Sequence, residues 1–100
     1  MRKGYCLDDC SIEDRAAFAS ALYKLSQRSW AQIKTSPKHG MGSEKIDRSA
    51  IKGDSTDHLA EDLTLLAIRF SGLKPMVGYR DGAVFHIVWL DHNFTLYDHE

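Results

Sequence analysis

The chain predicts an α+β fold: a helical hairpin packed on a mainly antiparallel sheet of four to five strands, in one domain of 100 residues. Two observations carry this. Residues 63–99 read as apolar runs joined by very short turns, with Asp81-Gly82 between the runs 75–80 and 83–90, a strong local hairpin signal. Residues 11–36 instead repeat their apolar side chains at helical spacing, Phe18, Leu22 and Leu25 at i, i+4 and i+7 with Ala21 on the same side. The chain thus divides into a helical hairpin (11–36), a loop region (37–62) and a β-meander (63–99).

In order, residues 3–7 (KGYCL) predict a short N-terminal strand. Ser11 stands as N-cap with Asp14 three residues on, close to a capping box, and the helix it opens ends near Gln27. Ser29 caps a second, short helix over 29–35 that carries Trp30 and Ile33 inward, and Pro37 stops it. Residues 38–43 form a Gly-containing loop, 44–51 a short strand or extended link, 52–57 a loop and 58–62 a helical turn. Strands follow over 63–70, 75–80, 83–90 and 94–97.

A two-residue turn at Asp81-Gly82 pairs Arg80 with Ala83, Tyr79 with Val84, Gly78 with Phe85 and Val77 with His86. One face then carries Met76, Arg80, Phe85, Ile87 and Trp89; the other carries Val77, Tyr79, Val84, His86 and Val88. Both faces of 83–90 are apolar apart from His86, which predicts a central strand covered on both sides. A return strand over 94–97 would set His86 opposite Asp98 or His99.

Composition is that of a soluble globular protein, 43% hydrophobic and 27% charged. No apolar run approaches the ~18 residues of a membrane span and no signal-peptide core opens the chain, so the expected location is cytoplasmic, away from the membrane. Cys6 and Cys10 are too few for a closed zinc site and read as ordinary thiols. Net charge is −1, which by itself argues against a nucleic-acid binder, but the charge is polarised. Residues 15–52 hold a surplus of six positive charges and residues 53–100 a surplus of five negative ones.

The polar set Arg69, Arg80, His86, Tyr97, Asp98 and His99 comes from strands or the chain end. Cleaving RNA through its own 2′-hydroxyl needs a proton acceptor, a donor to the leaving oxygen and cations around the phosphorane-like transition state. His and Tyr exchange protons, and Arg clamps phosphate bidentately. The plainer reading makes His86 a hydrogen-bonded core histidine and Asp98-His99 a solvated tail. Lys38-His39-Gly40-x-Gly42 is a loop whose backbone amides suit a phosphate, or glycines that merely let the chain turn; with Lys45 it supplies the candidate RNA-binding residues Lys38, His39 and Lys45. Asp91, His92, Asp98 and His99 lack the spacing of a metal site, and no cofactor motif is present.

Ala67-Ile68-Arg69-Phe70, the run from Met76 to Asp91, and the ending Phe94-Thr95-Leu96-Tyr97-Asp98-His99 resemble the RelE/HigB-type toxins, small bacterial ribonucleases built as a β-αα-βββ unit. Leu22-Tyr23-Lys24-Leu25-Ser26-Gln27, Trp30, Ile33, and His39-Gly40-x-Gly42-x-Glu44-Lys45-Ile46 are also similar to a pattern in a group of uncharacterised small bacterial proteins. The toxin resemblance implies a RelE-like fold and a metal-independent endoribonuclease acting on mRNA, free or on the ribosome, neutralised by a cognate antitoxin protein. It implies that Arg69 and Arg80 hold the RNA backbone and that Tyr97 and His99 move protons; the polar set above adds His86 as a catalytic candidate. Self-association into a homo-oligomer stays open. The near-neutral charge and acidic sheet half motivate a second expectation, a non-enzymatic protein-binding module of a phage or mobile element on the same scaffold.

Overall fold

The computed structural model describes residues 1–36 and 42–98. A 3-10 turn at Leu7–Asp9 leads into α1 (Ile12–Ser26) and α2 (Trp30–Thr35); β1 (Ser43–Ile46), a 3-10 turn (Arg48–Ala50), β2 (Leu65–Ser71), β3 (Lys74–Asp81) and β4 (Val84–Leu90) follow. The four strands form one antiparallel sheet in the order β1-β2-β3-β4. The molecule is therefore α+β, two helices on one face of a meander.

Both helix starts follow from local chemistry. Ser11 Oγ accepts the Asp14 amide at 3.1 Å, satisfying one of the amides that a helix start leaves unpaired. The Asp14 carboxylate does not close the expected box. It is 5% exposed and reaches across to β2 and β3, accepting from Ser71 Oγ at 2.8 Å and pairing with Lys74 Nζ at 2.7 Å, which fastens the start of α1 to a hairpin. Ser29 makes the full reciprocal box with Gln32. Phe18, Ala21 and Ile33 are buried against Ile68, Phe70, Met76 and Leu90, with the Phe18 ring edge-on to Phe70. Leu22, expected in this stripe, is instead exposed, and lies at a groove between the hairpin and the sheet. The opposite sheet face buries Tyr5, Leu65, Ala67, Val77, Trp89 and Leu96. Each large apolar side chain so buried contributes on the order of 1.5–3 kcal/mol.

Both hairpins turn on two residues, Gly72-Leu73 and Gly82-Ala83. Only the glycine of each has positive φ, +58° and +60°, which is the requirement of a type II′ turn. Asp81 is thus the last strand residue and not a turn residue. Asp81 pairs with Val84, and Arg80 pairs with Phe85 and Tyr79 with His86, both partners two residues later than expected. A shift of two preserves the alternation, so the expected faces survive as far as Ile87. Val88 is then an extra residue: Gly78 pairs with Ile87 but Val77 pairs with Trp89. This bulge turns Trp89 away from the helices and onto the opposite face.

Three further expectations are corrected. Residues 3–7 form no strand, because Gly4 at φ +85° closes a turn in which the Tyr5 amide donates to the Arg2 carbonyl. The segment nevertheless runs beside β4 in the parallel sense, Arg2 N donating to Val88 O and Leu90 N to Tyr5 O. That makes β4 an edge strand covered by the N-terminal segment, not a central one; β2 and β3 are central. Residues 94–97 form no strand either. The buried Asp91 Oδ1 takes the Thr95 and Leu96 amides at 2.8 and 3.1 Å, and Phe94 adopts φ +57°, so the chain curls and never lies opposite His86. The fourth strand is β1, from the stretch read as a strand or extended link. Residues 58–62 make turns and no helix. Pro37 and the loop around Lys38 and His39 lie outside the described residues. Both cysteines are free thiols, and burial pushes the Cys10 thiol up.

Gly78 has a close-approach role: a Cβ there would stand 1.9 Å from the His86 carbonyl oxygen. Gly78→Ala should cost about 1–3 kcal/mol by forcing β3 and β4 apart. Denaturant titration measures this, and a variant as stable as the parent would show that the strands separate freely at this point.

Candidate functional site

The helix-free face is crossed by residues 47–64 and by the C-terminal segment. The crossing is held by Lys52 N and Gly53 N, both donating to Leu96 O, and by the Lys52–Asp98 ion pair. At its centre the buried Trp89 Nε1 donates to Asp54 Oδ2 at 3.0 Å. The same carboxylate receives Arg2 Nε at 2.8 Å and the Ser55 amide at 2.8 Å. Hydrogen bonding and charge from Arg2, helped by Trp89 and Ser55, hold the Asp54 carboxyl well below the usual carboxylate range against the opposing effect of burial. Asp54 thereby links the crossing loop, β4 and the N-terminal segment.

Beside this node lies a cleft of about 330 Å³ whose lining includes Arg2, His58, Tyr79 and His86. The His86 ring stacks on its cross-strand partner Tyr79, 4.8 Å between centroids and 16° between planes, with the histidine exposed. His58 comes from the crossing loop. Its ring stands edge-on to Trp89 at 5.8 Å, and its Nε2 lies 2.8 Å from the Ser55 carbonyl oxygen. The cleft therefore brings two imidazoles, a phenol and a guanidinium to one place.

The expected site residues fall into separate groups. His86 lies in this cleft. Arg80 is on the opposite face, as alternation required, where its guanidinium lies 4.7 Å over the Trp30 ring and its Nε donates to Gly82 O. Trp30 in turn donates Nε1 to Ala83 O and meets Phe85 edge-on, so this cation belongs to the seam between α2 and the β3–β4 turn. Arg69 pairs with Pro75, four β3 residues from the Tyr79–His86 pair, which is about 13 Å of strand. Tyr97 is near Arg69: burial first, then the charges of Glu44 and Asp91, push its phenol up to about 12, with Arg69 opposing. Such a phenol stays protonated at neutral pH and does not act as a base there. Lys45 is exposed on β1, opposite Leu66. Lys38, His39 and His99 lie outside the described residues.

Sequence reasoning missed Arg2, His58 and Tyr79. The available signal was Trp89: once buried, its indole N–H needs an acceptor, and the loop upstream offers Asp54 four residues before His58. Among the described residues no group of three or more His, Cys, Asp or Glu side chains is placed to hold a metal ion, and no helix is long and apolar enough to cross a membrane. No family model, curated protein or solved structure matches the chain.

Two titrations follow. Asp54, depressed in the fold and near 3.9 when unfolded, contributes stability that is present above about pH 4 and lost as pH falls. Asp54→Asn should therefore be less stable than the parent by about 1–3 kcal/mol at pH 7, and the gap should narrow from pH 5 toward pH 2. A gap independent of pH would remove the carboxylate from this role. Tyr97, raised in the fold, contributes stability present below about pH 10 and lost as pH climbs through about 12. In an alkaline absorbance titration of the parent one phenol should ionise near pH 12, and Tyr97→Phe should delete that step.

Proposed function

We propose that the chain is a RelE/HigB-type toxin that acts as a metal-independent endoribonuclease. The observation that carries this reading is the cleft on the helix-free face, where the His86 imidazole stacks on the Tyr79 ring and Arg2 shares the lining. RNA transesterification uses the substrate's own 2′-oxygen as nucleophile, so the protein needs to supply only proton transfer and positive charge. An exposed imidazole suits the first task and a guanidinium the second. The stacked Tyr79–His86 pair also offers an aromatic surface for a base. The order of elements supports the same reading: an N-terminal segment running parallel to β4, two helices on one face, then an antiparallel meander. On this reading Arg2 takes the phosphate-holding role that the resemblance gave to Arg80, while Arg69 and Tyr97 lie farther along the bound strand.

A second reading, a protein-binding module, is favoured by one observation on the other face. The groove between the helical hairpin and the sheet, about 600 Å³, is lined by apolar residues such as Leu25, Trp30, Ile33 and Phe85, with Arg28 and Arg80 beside them.

One experiment separates the two. The purified chain is incubated with single-stranded RNA in EDTA and, in parallel, induced in a bacterial host with total RNA followed over minutes. The ribonuclease reading expects new RNA ends, no cleavage of a DNA strand of the same sequence, and a roughly 100-fold or greater loss in His86→Ala. Intact RNA in both arms, with normal growth and no salt-dependent RNA affinity, would leave the binding module.

A further inference from the structure

We propose that His58, supplied by the loop that crosses the helix-free face, is a catalytic residue paired with His86: His58 accepts the proton of the RNA 2′-hydroxyl and His86 donates one to the leaving 5′-oxygen. The inference rests on the ribonuclease reading above and assigns the two proton-transfer roles within it.

The hydrogen bonding of His58 selects its role. Nε2 lies 2.8 Å from the Ser55 carbonyl oxygen, and a carbonyl only accepts, so Nε2 carries the proton. In the neutral ring the lone pair is then on Nδ1, which is the state of a proton acceptor. Ring position is fixed as well as tautomer, since the imidazole stands edge-on to the buried Trp89, and Trp89 is itself held by Asp54. His86 has the opposite character. It is exposed on β4, stacked on Tyr79, and open to proton exchange with water. His86 and Trp89 are three residues apart on the same face of β4, about 10 Å of strand. The two imidazoles thus line one cleft from separate elements, His58 from the crossing loop and His86 from β4, and in-line transesterification needs an acceptor and a donor that are separate groups. Arg2, which also lines the cleft and is held by Asp54, supplies positive charge to the same cleft.

The step balances without a co-reactant. The 2′-oxygen gives its proton to His58 Nδ1 and forms the O2′–P bond. The P–O5′ bond breaks and the leaving oxygen takes a proton from the His86 imidazolium. The products are a 2′,3′-cyclic phosphate and a 5′-hydroxyl end, and the two histidines exchange protons with water to reset. Among the described residues, the other charged or titratable groups lining the cleft are Arg2, Tyr79 and Met1 with its amino group; Asp54 is bonded to Arg2, and Asp57 precedes His58 in the chain. Arg2 stays charged across the working range, and so does Asp54.

The test compares the full-length parent, His58→Ala, His58→Gln and His86→Ala on single-stranded RNA and on the same RNA with one bridging 5′-oxygen replaced by sulfur. A thiolate leaves without protonation, so the sulfur substrate removes the need for a general acid. Expected are a loss of at least about 100-fold for both alanine variants on ordinary RNA. On the sulfur substrate His86→Ala should recover most of the parent rate while His58→Ala stays slow. The pH dependence of kcat/KM should be bell-shaped in the parent, losing its acid limb in His58→Ala and its alkaline limb in His86→Ala. His58→Gln keeps a donor toward Ser55 O and so controls for folding: a folded, inactive variant supports the assignment, and a folded, fully active one overturns it. Parent-like cleavage by His58→Ala would refute the role of His58 and leave the ribonuclease reading standing. A parent that cleaves neither substrate and leaves total RNA intact when induced in the bacterial host would end both. New RNA ends in the host alone move the same comparison of variants to cellular RNA, where loss in His58→Ala is expected and parent-like cleavage overturns the assignment.

Discussion

The Trp89 indole sets the terms for the helix-free half of the molecule. The extra residue Val88 turns this side chain away from the helices and buries it completely, with an N–H that water no longer reaches. Leaving such a donor unpaired costs about 1–3 kcal/mol, a sizeable part of what holds a domain of this size. Asp54 meets the need, but a carboxylate beside an apolar cluster carries its own desolvation cost, which Arg2 and the Ser55 amide offset. One bulge in β4 thus dictates where a loop from the middle of the chain lies and where the N-terminal segment is fastened. The histidine that the loop carries arrives at the cleft as a consequence of that fastening.

Charge is distributed differently in space from how it is distributed along the chain. The basic helical hairpin is on one side of the sheet, and its exposed cations are not those of the cleft. The cleft takes its guanidinium from the N-terminal segment, whose summed charge is negative. A net charge near zero therefore says little about whether an anion is held at this point, because short-range partners outweigh distant charges at physiological ionic strength. Tyr97 shows the same locality, its phenol being governed by burial, Glu44 and Asp91.

What the sequence made legible was local. Ser11 and Ser29 capped the helices as read, since a cap depends on residues three or four positions apart. Alternation assigned His86 and Arg80 to opposite faces correctly even though the turn was misplaced, because the pairing moved by two and kept its parity. The turn at Gly82 and the turn at Gly4 were local misreadings; the failures that shape the candidate site were non-local. Nothing in the spacing around Val88 distinguishes a bulged strand from a regular one. Asp91 reads as a turn residue, and only the fold shows it buried and holding two amides. Asp14 suited a capping box equally well, and only the nearness of Lys74 and Ser71 explains why it turned elsewhere. Of the candidate site, His86 was legible from its strand, whereas Arg2 and His58 meet it only through segments whose paths the sequence does not reveal.

The N-terminal turn along β4 also bears on how this sheet meets other chains. Strand edges are templates: a row of unpaired amides and carbonyls recruits any extended peptide, including another copy of the same protein. On the β4 side, the bonds from Arg2 to Val88 and from Leu90 to Tyr5 occupy part of that row, and the kink at Gly4 keeps the covering segment from being a continuous strand itself. On the other side β1 is only four residues long. Strand addition, a common route to aggregation, is thereby disfavoured at both margins, and partners of any kind are directed to the two broad faces of the sheet and its helices.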